Sequence, residues 1–162
     1  MRKWFFLLSI LVLLVSCDKE EVVVNNPAFQ SLNNEVFWRA TSFSANIDSA
    51  GKLTVIGKLG NDSVVLQTAL AKVQSYALGI DNISTATYTS TLLKKEVLYK
   101  TGKELGGGQI IITQFNKETS TVSGTFTFVA PNEGDIMAVE KSVRFKEGVF
   151  YKVPVTLSNS TD

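Results

Sequence analysis

Ile110-Ile111-Ile112-Thr113-Gln114-Phe115, followed by Asn116-Lys117-Glu118-Thr119 and then Ser123-Gly124-Thr125-Phe126-Thr127-Phe128, is the stretch that decides the fold. Gly124, Phe126 and Phe128 share one face and Thr125 and Thr127 the other, the period of two that a strand imposes. The Ile110 run is apolar on both phases at its start, which predicts a strand covered on both faces. The polar run between them is a connecting turn. Two strands joined so briefly must be antiparallel, because a parallel crossover needs a dozen or more residues.

The same alternation continues in both directions. Phe43, Ala45 and Ile47 alternate with Ser44 and Asn46, then Asp48-Ser49-Ala50-Gly51 turns the chain into Leu53, Val55 and Gly57. Gly60-Asn61-Asp62 turns it again before Val64, Leu66 and Thr68. Downstream, Val143 and Phe145 lead through Lys146-Glu147-Gly148 to Val149, Tyr151, Val153 and Val155, a final hairpin. Val64 to Tyr76 also carries Val65, Leu66, Ala69, Leu70 and Val73 at helical spacing, so a strand over Ser63 to Thr68 with a helical turn after it is expected. The whole predicts an all-β domain over residues 35–157, an antiparallel two-sheet sandwich of about nine strands, with a lipocalin-like up-and-down barrel as the alternative. Phe126 and Phe128 are expected in its core.

The N-terminus has a different character. Met1-Arg2-Lys3 is positive, Trp4 to Val15 is apolar apart from Ser9, and Leu14-Val15-Ser16-Cys17 places a cysteine after small residues. A membrane span needs about 20 apolar residues, and this run has the length of a signal-peptide core. Leu14 to Cys17 resembles a lipobox, which implies cleavage before Cys17, acylation of its thiol with a fatty acid such as palmitate, and a lipid anchor in the outer membrane. Lys19-Glu20-Glu21 resembles the signal that sends Bacteroidota lipoproteins to the cell surface; without it a periplasm-facing orientation is the alternative. Residues 1–16 are therefore read as signal peptide, 17–34 as lipidated tether broken by Asn25-Asn26-Pro27, and 158–162 as a C-terminal tail.

Composition narrows the chemistry. Cleavage removes 16 of the 162 residues and leaves 14 Lys and Arg against 15 Asp and Glu, a balance with no electrostatic pull toward nucleic acid. The chain has no histidine and one cysteine. Lipidation of Cys17 thus removes the last thiol, and with it soft-metal and thiol chemistry. No cofactor is expected.

Further residues carry a family resemblance. Phe37-Trp38-Arg39-Ala40, Ser75-Tyr76-Ala77-Leu78-Gly79, Ala86-Thr87-Tyr88, Gly106-Gly107-Gly108-Gln109-Ile110, Ser123-Gly124-Thr125-Phe126-Thr127-Phe128 and Lys146-Glu147-Gly148-Val149-Phe150 occur in that order. The order resembles a family of Bacteroidota lipoproteins catalogued as a domain of unknown function, over about residues 35–153. These are strand and turn pieces, so the resemblance implies a fold and no activity.

Candidate sites are few. Gly106-Gly107-Gly108 lacks the lysine and the strand-loop-helix setting of a phosphate cradle and reads as a flexible hairpin loop. Asp48, Asp62, Asp81, Glu104, Glu118, Glu133, Asp135 and Glu147 fall in predicted turns, where a glycosidase pair requires only two carboxylates at the right separation. Asp48 with Asp62, or Glu133 with Asp135, offers oxygen ligands for calcium without completing a loop. Trp38, Tyr76, Tyr88, Tyr99 and Tyr151 either stack on a glycan or protein partner or fill the core, and strand aromatics favour the core. Asp48-Ser49-Ala50 and Asp62-Ser63-Val64 resemble acceptors for O-linked glycans in predicted hairpin loops, at Ser49 and Ser63. The function expected is a surface-displayed, non-enzymatic binding domain for a protein or glycan ligand. A small-ligand carrier with a barrel cavity and a carboxylate-only glycan hydrolase are the alternatives.

Overall fold

A computed structural model describes Asn26 and residues 28–92, 95–133 and 140–158. It is all-β, with no helix among the described residues. Eleven strands succeed one another: β1 Ala28–Asn33, β2 Val36–Arg39, β3 Ser42–Ile47, β4 Leu53–Leu59, β5 Asp62–Thr68, β6 Ser75–Leu78, β7 Thr85–Leu92, β8 Lys95–Lys100, β9 Gly107–Asn116, β10 Thr121–Pro131 and β11 Ser142–Leu157. They form one open sheet in the order β6-β9-β10-β11-β3-β4-β5-β7-β8, with β1 paired to β11 and β2 to β1. The sheet is mixed rather than wholly antiparallel, because Val155 to Leu157 of β11 run parallel to Ala45 to Ile47 of β3.

The free end at β8 comes back to the end of β10 through a bridge between Tyr99 and Asn132 and a 2.8 Å bond from the Glu133 N–H to the Leu98 carbonyl. Among the described residues no continuous ladder joins β8 to β10, so the expected all-β fold takes the form of one open sheet of eleven strands. The curled sheet has one core. Phe145 of β11 lies with its ring centroid 4.6 Å from Phe128 of β10 and 5.1 Å from Tyr88 of β7. Phe29, Phe126 and Trp38 complete this aromatic centre, Phe126 and Phe128 facing inward as their alternation predicts.

Three expectations change here. The first described strand starts at Ala28, inside the segment assigned to the tether, and its Phe29 is fully buried and pairs β1 to β11. Asn34 and Glu35 both have positive φ, the type I′ geometry that joins two strands through two residues, and they turn β1 into β2. The second change concerns Lys146-Glu147-Gly148, which is no hairpin turn but a bulge within the single 16-residue strand β11. Glu147 and, further on, Lys152 have positive φ. Each bulge shifts the inward phase, so Phe145, then Gly148 and Phe150, then Val153 and Val155 face the core. Third, Ile111 is half-exposed beside buried Ile110 and Ile112, since β9 is covered on one face only.

The helical turn expected after Thr68 is also absent. Residues 69–74 make a series of bends between β5 and β6. The Tyr76 hydroxyl donates to the Leu70 carbonyl at 2.6 Å, and the Thr68 hydroxyl donates to the same oxygen at 2.8 Å. An oxygen held by two side chains is withdrawn from any helical ladder, and Val73 of the apparent stripe points to solvent.

Candidate functional site

The hydrogen bonds that pin residues 69–74 also shape a broad concavity. β3 and β11 end side by side, and their last inward residues Ile47 and Val155 make an apolar floor. One wall is Leu70 and Ala71 from the bends after β5. The Ala71 N–H donates to the Gly51 carbonyl at 3.0 Å, and Gly51 sits at φ +82, where a Cβ would touch Leu70. The opposite wall is Phe115 with the β9–β10 turn, joined to the floor by a 2.8 Å bond from the Val155 N–H to the Ser120 carbonyl. Leu157 closes one end, and the Ser158 N–H donates to the Ile47 carbonyl at 2.9 Å.

The result is an open groove of about 530 Å³, within the size range of small-molecule sites. Its polar lining comes from Lys72, Lys117 and Ser120. Both lysines are exposed, and neither ammonium has a carboxylate partner among the described residues. No Asp or Glu among the described residues lines the groove. A second hollow of about 230 Å³ lies on the outer surface of β3 and β4, around Phe43 and Ile56.

The residues singled out from the sequence are scattered. Cys17, Lys19, Glu20 and Glu21 lie outside the described residues, as does Asp135. Ser49 is exposed at the tip of the β3–β4 turn, where the Asp48 carboxylate accepts the N–H groups of Ala50 and Lys52. Ser63, by contrast, is the second residue of β5 and lies in no loop. Its neighbour Asp62 accepts the hydroxyls of Ser90 at 2.6 Å and Tyr88 at 3.0 Å, so a carboxylate expected in a turn fastens β5 to β7 instead. Asp81 accepts the N–H groups of Ile83 and Ser84. No group of three metal-ligating side chains occurs among the described residues. Trp38, Tyr76, Tyr88 and Tyr99 are buried in the core, and Tyr151 is half-buried. Gly107 and Gly108 belong to β9 and Gly106 is the bend before it, so two of the three glycines are strand rather than loop.

Tyr88 ionises well above its ordinary value of 10.0. Burial first, and the Asp62 carboxylate second, push its phenol up to about 12. The folded state therefore holds this proton more tightly than the unfolded chain. The resulting stability is complete below about pH 10 and is lost as pH rises toward 12. Tyr88→Phe has no proton to lose, so its urea midpoint should fall less steeply than that of the wild type across this window. Equal slopes would refute the assignment.

The groove draws on residues no single motif links. Its one trace in the sequence is Leu70 of the apparent helical stripe, an apolar residue that the fold leaves at the surface. Residues 25–154 match the family described as a domain of unknown function, DUF6252, and the chain belongs to it. The match starts ten residues before the resemblance does, in keeping with a folded region that includes β1. No curated protein and no solved structure matches the chain significantly.

Proposed function

We propose that this member of the family is a non-enzymatic binding domain, carried on a Bacteroidota cell surface by a lipid on Cys17, and that the groove between residues 69–72 and the β9–β10 turn is its binding site. The anchor reading rests on Leu14-Val15-Ser16-Cys17 and Lys19-Glu20-Glu21. The binding reading rests on one observation, an apolar groove of about 530 Å³ whose walls are already hydrogen-bonded in place. A preformed apolar concavity binds without first ordering its own chain, which favours ligand capture. Asp48 and Asp81 brace turns and Asp62 fastens two strands, an arrangement suited to holding a fold rather than to acid–base work.

Three measurements test the two halves. Labelled palmitate should enter the wild type and not Cys17→Ala, and protease applied to intact cells should remove the protein. Equal labelling, or full protection, defeats the anchor or the display. For the groove, apolar small molecules that raise the melting temperature of the wild type should leave Ala71→Trp unmoved, because the indole fills the space. Equal shifts in both proteins, or none in either, defeat the binding site.

A further inference from the structure

We infer that the groove takes a free aliphatic monocarboxylate, its chain lying on the Ile47–Val155 floor and its head held between Lys72 and Lys117; this rests on the groove being the binding site. Charge complementarity carries the inference. The two lysines come from different segments, the bends after β5 and the β9–β10 turn, yet both line the same groove. Among the described residues neither is paired with a carboxylate, and no Asp or Glu lines the groove to compete for them. Lys72 and Lys117 thus bring two positive charges to the rim of one apolar groove, a local positive site.

The remaining features match such a ligand. The groove is open, so the carboxylate stays partly hydrated and the cost of stripping water from three charged groups is avoided. Lysine stems lie along apolar surface while their ammonium groups reach solvent, an arrangement that leaves the floor to the chain and the rim to the head. A neutral ligand would leave both ammoniums unanswered, and a cationic one would be repelled. The volume suits a single chain, and a concave wall receives one molecule rather than the surface of a bilayer.

The test uses a diazirine-bearing decanoate as probe, photoactivated on membranes of cells expressing the full chain, with labelled peptides located by mass spectrometry. The label should fall on peptides carrying Leu70–Lys72 or Phe115–Lys117. Unlabelled decanoate should compete about tenfold better than decanol, and Lys72→Glu/Lys117→Glu should lose about tenfold in labelling. Both lysines are exposed, so charge reversal should leave the fold intact, and unchanged protease resistance of the variant verifies this. If decanol competes as well as decanoate, or the double variant labels like the wild type, the carboxylate assignment is overturned while the groove stands as an apolar site. Label spread evenly over the surface overturns the assignment and the binding site together.

Discussion

Phe145→Ala is expected to lower the unfolding free energy by about 3–5 kcal/mol, a large part of the ~5–15 kcal/mol that holds a domain folded. Phe145 is fully buried and sits where the curled sheet meets itself. Its ring is 4.6 Å from Phe128 and 6.5 Å from Phe126, both on the neighbouring β10. It is also 6.2 Å from Trp38 of β2 and 5.1 Å from Tyr88 of β7, elements that reach it across the core. Removing the ring therefore takes away transfer free energy and opens a cavity, and close packing on all sides limits how far the walls collapse. Phe37→Ala supplies the contrast. That side chain is 62 % exposed on β2, so its loss should change stability by no more than ~0.5 kcal/mol. Urea unfolding of both variants measures the difference, and a Phe145→Ala variant within 1 kcal/mol of the wild type would contradict the core described here.

The strands that read clearly from the sequence are those whose alternation is undisturbed. β4, β5 and β10 keep Leu53 and Val55, Val64 and Leu66, and Phe126 and Phe128 inward without interruption, as period two requires. β11 breaks the rule because its bulges at Glu147 and Lys152 each move the inward set by one residue. A strand with bulges looks like two strands and a turn, and Glu147-Gly148 has turn chemistry besides. β1 escaped for another reason. Its two buried positions are Phe29 and Ser31, so half of its inward face is polar, and it is bordered by asparagines that suggest loose chain. The groove was not legible because proximity made it. Ile47 meets Leu157 through the parallel pairing of β3 with β11, and no local pattern encodes that pairing.

Gly108→Ala is expected to be as costly as the loss of a core ring, although it adds only a methyl group. Gly108 lies in β9 at φ +137, a region that L side chains rarely adopt, and holding alanine there costs about 1–3 kcal/mol. Space adds a second penalty. A Cβ would stand 2.1 Å from the Thr127 carbonyl oxygen and 2.6 Å from the Phe128 Cα, both backbone atoms of β10 that no rotamer change can move aside. Relief requires β9 and β10 to part where Gly108 pairs with Phe128, or β9 to leave Leu78 of β6 on its other side. Overpacking of this kind costs about another 1–3 kcal/mol. Gly107→Ala, one residue earlier, meets nothing closer than 3.9 Å and has no positive φ. That variant should fold with nearly wild-type stability, so the pair separates a need for glycine at one position from a general need for flexibility in the run. Denaturation that leaves Gly108→Ala as stable as Gly107→Ala would mean that β9 and β10 do not approach as closely as this fold requires.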